Sequence, residues 1–263
     1  MLWKRFLVAL LGIPLILLLA YTGGLAFFLF VALLTCMTLR EFFYLGLRSG
    51  LRPLFGVGYI GALTYIGIIY IHGDLPSWGP LWILILVLGG LLWYFPGRSL
   101  TDAAFTFLGL FYTAFLLSYL LLLRFSQAGF AAVTLAFIIT WASDTGAYFA
   151  GLIFGRHRLW PEVSPHKTWE GALGALVLTL LAVISFGPWL FPQKSYGVLI
   201  PLGLSASVAA QIGDLIESAL KRLTRVKDSG KILPGHGGLL DRFDSLLLVA
   251  PVVYYYLQWR FFI

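Results

Sequence analysis

Apolar runs follow one another along almost the whole chain, at 6–21, 25–44, 55–71, 81–95, 103–123, 130–149, 173–191, 198–220 and 246–262, broken by glycine, proline or charge. Runs of this kind have the length needed to cross a bilayer as helices of about 20 residues each. Inside hydrocarbon every backbone N–H and C=O has to be bonded within the protein, so the folds open to such a chain are very few. The spacing predicts an all-α polytopic membrane protein with about nine transmembrane helices. Composition agrees: 60% of the residues are hydrophobic, 11% are charged and the mean hydropathy is +0.92. The 263 residues leave no room for a separate soluble domain beside that many spans.

Lys4 and Arg5 ahead of the first apolar run resemble a signal peptide, but a small-x-small cleavage site is missing and another span follows at once, so a retained first helix is expected. The single cysteine, Cys36, forms no intrachain disulfide, and no asparagine is present to make a glycosylation sequon. His72, His157 and Cys36 have no partners at metal-ligand spacing, which argues against a zinc site. The aromatic cluster Tyr254, Tyr255, Tyr256 and Trp259 reads as an interface belt, and Gly89-Gly90 with the small residues of the eighth span read as helix-packing features.

The formal net charge is +7, but the cations are spread through the connections between spans, where membrane orientation explains them and nucleic acid is not needed. With the amino terminus in the cytoplasm, Lys4, Arg5, Arg40, Arg48, Arg52, Arg98, Arg156, Arg158, Lys167, Lys221, Arg222, Arg225, Lys227, Lys231 and Arg242 lie inside, and only Arg124, Lys194 and Arg260 lie outside. An odd number of spans then puts the carboxyl terminus outside. The two long polar connections, 155–170 and 221–244, face the cytoplasm, where soluble charged metabolites meet them. No repeat is visible. Residues 1–129, with few ionisable groups, read as a transmembrane scaffold, and 130–263 as the region that carries the chemistry.

Three constellations lie in that second part. Asp214, Glu217, Ser218 and Lys221 recur at offsets of three, four and seven, which places them on one helix face at the end of the eighth span. Asp214 then sits about 10 Å below Lys221 at ~1.5 Å per residue. An ionised aspartate inside a span costs roughly 2.5–3.5 kcal/mol on insertion scales, so Asp214 is expected to face a polar cavity or a cation. Glu217, by contrast, reads as the partner of Lys221 in a surface pair.

The second constellation is the loop after that span. Gly235, Gly237 and Gly238 permit positive φ, so that consecutive N–H groups can turn towards an anion, with Lys227, Lys231 and Arg242 adding charge. Asp241 and Asp244 share a face at the start of the ninth helix, and carboxylates near phosphate are the usual means of holding Mg²⁺. Asp214 and Asp241 can meet across the hairpin. A solvated connector is the plain reading of any one of these lysines, and capping that of His236, but their concentration points to a phosphate site.

The third runs from Ser143-Asp144-Thr145-Gly146-Ala147-Tyr148, late in the sixth span, to Ser164-Pro165-His166-Lys167-Thr168-Trp169-Glu170-Gly171. The cost argument for Asp214 applies to Asp144 as well. Ser164-Pro165 signals a turn, and Lys167 and Glu170 flank the start of the seventh span, where a helix amino terminus also attracts phosphate. Interfacial snorkelling is the plain alternative for Lys167.

Taken together, Ser218-Ala219-Leu220-Lys221-Arg222, Lys227-Asp228-Ser229-Gly230 and Leu233-Pro234-Gly235-His236-Gly237-Gly238-Leu239-Leu240-Asp241-Arg242-Phe243-Asp244 resemble the signature of the phosphatidate cytidylyltransferases, also called CDP-diacylglycerol synthases, with no departure. The third constellation is similar to that family's second region. The likeness covers about the carboxyl-terminal 40% of the chain. It implies transfer of CMP from CTP to phosphatidic acid in phospholipid biosynthesis, giving CDP-diacylglycerol and pyrophosphate, with Mg²⁺ required. Under it Asp214 and Asp241 are the leading metal ligands and Asp144 and Asp244 the secondary ones. Lys167, Lys221, Arg222, Lys227, His236 and Arg242, with Ser143, Asp144, Gly237 and Gly238, are then the candidates for contact with the triphosphate and the lipid phosphate. The resemblance also implies a homodimer, a potassium ion beside the magnesium, and a multi-pass protein of the bacterial cytoplasmic membrane with its active site facing the cytoplasm.

Two other readings compete. A CTP-dependent enzyme of the same kind acting on an ether lipid or a polyprenol differs only in acceptor, which the motifs do not specify. An ion-coupled transporter can also use intramembrane Asp144 and Asp214, but such sites lie near the midplane and often in repeats, whereas these acids cluster with a basic loop.

Overall fold

Helices occupy every one of the apolar runs. The computed structural model describes residues 2–224, 226, 229–230 and 237–261, with side chains over 10–259 of these. The helices are α1 (Leu2–Thr22), α2 (Gly24–Arg48), α3 (Phe55–His72), α4 (Gly79–Trp93), α5 (Leu100–Leu110) and α6 (Leu116–Phe125), then α7 (Gly129–Phe154), α8 (Trp169–Leu190), α9 (Tyr196–Leu223) and α10 (Leu240–Phe261). A π-helical stretch, Phe111–Phe115, joins α5 to α6, and the three together fill the fifth run. Among the described residues six helical segments are long and apolar enough to cross a membrane: Gly24–Arg48, Phe55–His72, Leu100–Phe125, Gly129–Phe154, Trp169–Leu190 and Tyr196–Leu223. Leu10–Thr22 and Gly79–Trp93 are shorter apolar helices. The protein is therefore a mostly helical, polytopic membrane protein.

One connection departs from the all-α expectation. Residues Arg158–Trp160 (β1) and Ser164–Thr168 (β2) pair antiparallel, Arg158 opposite Thr168 and Trp160 opposite Ser164, with an irregularity between the two pairs. Ser164-Pro165, expected to open a turn, instead begins an extended strand. The physical reason is the short polar connection between α7 and α8. Folding it back on itself gives its backbone N–H and C=O groups partners that an open loop would have to find in water.

The chain divides into two compact units, Met1–Phe125 with Leu220–Arg242, and Ser126–Ala219 with Phe243–Ile263. The first unit therefore joins the helices read as scaffold to the segment that carries much of the signature. Its core is built on Phe42, Phe43, Tyr65, Ile66 and Leu110, all fully buried. Gly109 lies where an added Cβ would sit 2.8 Å from the rings of both Phe42 and Phe43, so α5 approaches α2 through that gap. Arg124 ends α6 by donating to the carbonyls of Ala20 and Tyr21 at 2.7 and 3.2 Å, tying it to the end of α1. Of the Gly89-Gly90 pair only Gly90 meets a neighbour, Val57, and Gly89 faces open space.

In the second unit α7 and α8 pack against each other most closely. A Cβ on Gly146 would strike the carbonyl of Gly174, and one on Gly174 would strike Ala150. The buried positions of α8, Gly171, Ala175, Thr179, Val183 and Gly187, recur every four residues and are mostly small. Its exposed positions include Leu173, Val177, Leu181 and Ile184, the large apolar stripe expected of a lipid-facing surface.

Candidate active site

The β1–β2 hairpin presents Lys167, and its two ends are fastened by Glu170 and Thr168. Glu170 accepts from the backbone N–H of Arg156 at 3.1 Å and of His157 at 3.2 Å, and its Oε1 is 2.6 Å from His157 Nδ1. Thr168 caps α8, its hydroxyl oxygen accepting from the N–H of Gly171 at 3.1 Å. Held in this way, Lys167 Nζ lies 2.8 Å from Asp214 Oδ1 and donates to Ser218 Oγ at 3.4 Å. Asp214 and Ser218 are one turn apart on α9, so a single ammonium spans these two of the four residues grouped by helical phase; Glu217, expected as a surface partner of Lys221, is instead fully buried, and Lys221 pairs with Asp241. The side chains of Lys167 and Asp214 are 22% and 40% exposed, so the pair remains within reach of a dissolved anion. A partly exposed pair of this kind adds little to stability.

In the same unit Ser245 brings two of the secondary acids together. Its hydroxyl donates to Asp144 Oδ1 at 3.0 Å, and its N–H donates to Asp244 Oδ1 at 2.7 Å. Asp144 is exposed and Asp244 buried. Gly213 makes room for this arrangement, since a Cβ there would sit 2.6 Å from the Asp244 carbonyl. Ser143 is turned inward. Its Oγ is 3.2 Å from that of Ser207, which also accepts from Thr179 at 3.3 Å, giving a buried knot of three hydroxyls.

Lys221 and Asp241 belong to the first unit. Lys221 Nζ donates to Asp241 Oδ1 at 2.8 Å, with the two side chains 19% and 9% exposed. Asp241 Oδ2 accepts from the N–H groups of Gly238 at 2.8 Å and Ser229 at 3.1 Å. Gly237 has φ +81°, the left-handed conformation that its sequence position suggested. Arg222 and Arg242 are exposed at the end of α9 and the start of α10. Lys227 and His236 lie outside the described residues.

Glu41 is a residue that the sequence reading passed over. It is 3% exposed on α2, and its carboxylate accepts from Ser229 Oγ at 3.1 Å, the Leu239 N–H at 3.0 Å and the Leu240 N–H at 2.7 Å. The signal was present, because Glu41 is the one acid in the run 25–44, and the insertion cost that singled out Asp144 and Asp214 applies to it as well.

Asp144, Asp214 and Asp244 in the second unit and Asp241 in the first each carry hard carboxylate oxygens, the donor type that suits Mg²⁺. Among the described residues no three His, Cys, Asp or Glu side chains cluster into a complete cage. Asp214 and Asp241 are each paired with an ammonium at 2.8 Å, that of Lys167 and of Lys221 respectively.

Comparison with known proteins covers nearly the whole chain. The model of the cytidylyltransferase family matches residues 3–260. The phosphatidate cytidylyltransferase of Staphylococcus epidermidis is 35% identical over 256 residues, covering 95% of this chain and 96% of that protein. Those of Staphylococcus aureus and Staphylococcus saprophyticus are 33% identical over 260 residues and 36% over 256, with the same coverage.

Proposed function

The chain belongs to the cytidylyltransferase family, and from that membership we infer that it transfers CMP from CTP to phosphatidic acid, giving CDP-diacylglycerol and pyrophosphate. The observation that carries the reading is likeness to phosphatidate cytidylyltransferases over 95% of the chain, the signature loop included. A phosphate oxygen of phosphatidic acid attacks the α-phosphorus of CTP. The bond from that phosphorus to the bridging oxygen breaks, and pyrophosphate leaves with the electron pair. Both reacting groups are anions, so the protein's tasks are alignment and charge neutralisation, and no covalent nucleophile is needed.

Lys167, Lys221, Arg222, Lys227, His236 and Arg242 bind and neutralise the triphosphate and the lipid phosphate; Ser143, buried against Ser207, and the Gly238 N–H, given to Asp241, do not face outward for that role. Asp214 and Asp241, with Asp144 and Asp244, are the carboxylates that would hold Mg²⁺. When bound, that ion supplies further charge stabilisation at the phosphate oxygens. Lys167 and Lys221 each rest on a carboxylate. Each ammonium is thus oriented before any phosphate arrives, which lowers the entropy lost on binding. The same reading includes a homodimer and a potassium ion beside the magnesium, both supported by the family resemblance alone.

The charge distribution supports nine crossings, an amino terminus in the cytoplasm, a carboxyl terminus outside, and a site on the cytoplasmic face of the bacterial inner membrane, where CTP meets a membrane lipid. The test is turnover by purified protein in detergent. CTP and phosphatidic acid are expected to give CDP-diacylglycerol with Mg²⁺ and none with chelator. A panel of acyl, ether and prenyl phosphates identifies the acceptor. Product from none of them overturns the assignment, and product from an ether or prenyl phosphate alone moves it to that lipid.

A further inference from the structure

We propose that Glu41 is a positioning residue for the transfer: its buried carboxylate joins the Ser229–Gly230 turn to the first turn of α10 and thereby sets Asp241 and Lys221. The proposal rests on the transfer reading above.

The N–H groups that open a helix have no partner within it. At α10 two of them, from Leu239 and Leu240, are taken by Glu41, far away in sequence on α2. Bonds from N–H to an ionised carboxylate are stronger than neutral ones, and the positive end of a helix favours the charge. Packing alone does not call for an acid here, since an apolar side chain would fill the same space on α2 without the cost of burying a carboxylate.

The motif's glycines fit around this carboxylate. A Cβ at Gly230 would strike the Glu41 carboxylate, 2.6 Å from Cδ, and one at Gly238 would lie 2.5 Å from Oε2 and strike Ser229 Oγ. Both slots are empty because Glu41 needs the space. Ser229 then acts as the link, donating its hydroxyl to Glu41 and its N–H to Asp241 Oδ2. Gly238, pressed against Glu41, donates its own N–H to the same Asp241 oxygen. Asp241 in turn holds Lys221. In this chain of bonds the influence of Glu41 passes to Asp241 and Lys221 through the backbone it fixes.

Two readouts on the full-length protein test this. In Glu41→Gln the amide keeps the size and one acceptor oxygen but turns an N–H towards donors at the start of α10. In metal-free, substrate-free protein, hydrogen exchange at Leu239 and Leu240 is expected to rise while α3 to α6 exchange as in the wild type. The kcat is expected to fall roughly 10- to 100-fold, as for other residues that orient a ligand without touching the substrate. The KM for phosphatidic acid should stay unchanged. Ser229→Ala removes one link and leaves both N–H contacts to Glu41, so a smaller fall in the same direction is expected. A Glu41→Gln protein with wild-type kcat overturns the proposal. So does a loss of kcat accompanied by faster exchange throughout α3 to α6, because Glu41 would then only stabilise the fold. If the wild-type protein does not transfer CMP to phosphatidic acid, the transfer reading falls and the positioning role with it, while exchange at Leu239 and Leu240 still decides whether the latch exists.

Discussion

Lys167 and Asp214 carry opposite charges 2.8 Å apart, half-open to water, and each has a use for the other. The carboxylate orients the ammonium, and the ammonium gives the acid a partner on an apolar helix. Replacing Lys167 by Met removes a cation from the triphosphate and leaves Asp214 without its partner. The kcat of Lys167→Met is expected to fall roughly 10²–10³-fold, the usual effect of removing one charge-stabilising donor. Asp214→Asn should lose most turnover as well. Because the residues share an interaction, the double variant should fall well short of the product of the single losses. Pyrophosphate release from CTP measures all three. Near-normal activity in either single variant, or strictly multiplicative losses, contradicts the shared role. Thermal unfolding should hardly change, since an exposed pair contributes little to stability. Asp241→Asn is expected to differ in this respect. It too should lose turnover, and it also weakens the hold on Ser229 and Gly238, so amide exchange at those two residues should rise.

At the level of elements, the α7–α8 contact supports the hairpin that carries Lys167, and its closeness depends on glycine. Gly146→Ala places a methyl against the Gly174 carbonyl, a backbone atom that cannot turn aside. Such overpacking costs roughly 1–3 kcal/mol, and a lowered midpoint of thermal unfolding in detergent should report it. Gly89→Ala, facing open space, should leave the midpoint unchanged or slightly raised. Equal midpoints for the two variants would show that α7 and α8 can separate without loss. The helices themselves were legible because a span announces itself by length and hydropathy, and each of the nine runs overlaps a helical segment over most of its length. The β1–β2 hairpin was not legible. Ser164-Pro165 looks like a turn, and the pairing of Arg158 with Thr168 depends on the neighbouring helix ends rather than on any alternation of residue types. Glu41 was hidden differently: the adjacent Arg40 makes it look like half of a charged pair at the end of a span, and its partners Ser229, Leu239 and Leu240 are about two hundred residues away in sequence.

For the whole molecule, the proposed topology follows from charge, and the helices supply the crossings on which it can be tested. Gln127 precedes α7, Glu162 lies in the connection between the hairpin's strands, and Gln193 follows α8, and all three are exposed. If α7 and α8 both cross, Glu162 is on the opposite side from the other two. Positive-inside counting assigns Glu162 to the cytoplasm, since Arg156, Arg158 and Lys167 surround it while Arg124 and Lys194 stand nearly alone at the other face. With Cys36 replaced by Ala, single cysteines introduced as Gln127→Cys, Glu162→Cys and Gln193→Cys report this in intact cells. A membrane-impermeant maleimide should label the first and third from outside, and the second only after permeabilisation. The reverse pattern would put Lys167 outside, away from cytoplasmic CTP, and remove the enzyme's access to its nucleotide. Labelling of all three from one side would mean that α7 and α8 do not cross at all. The expected pattern brings the hairpin lysine to the side where a soluble nucleotide is available, on a connection between two helices long and apolar enough to cross the membrane.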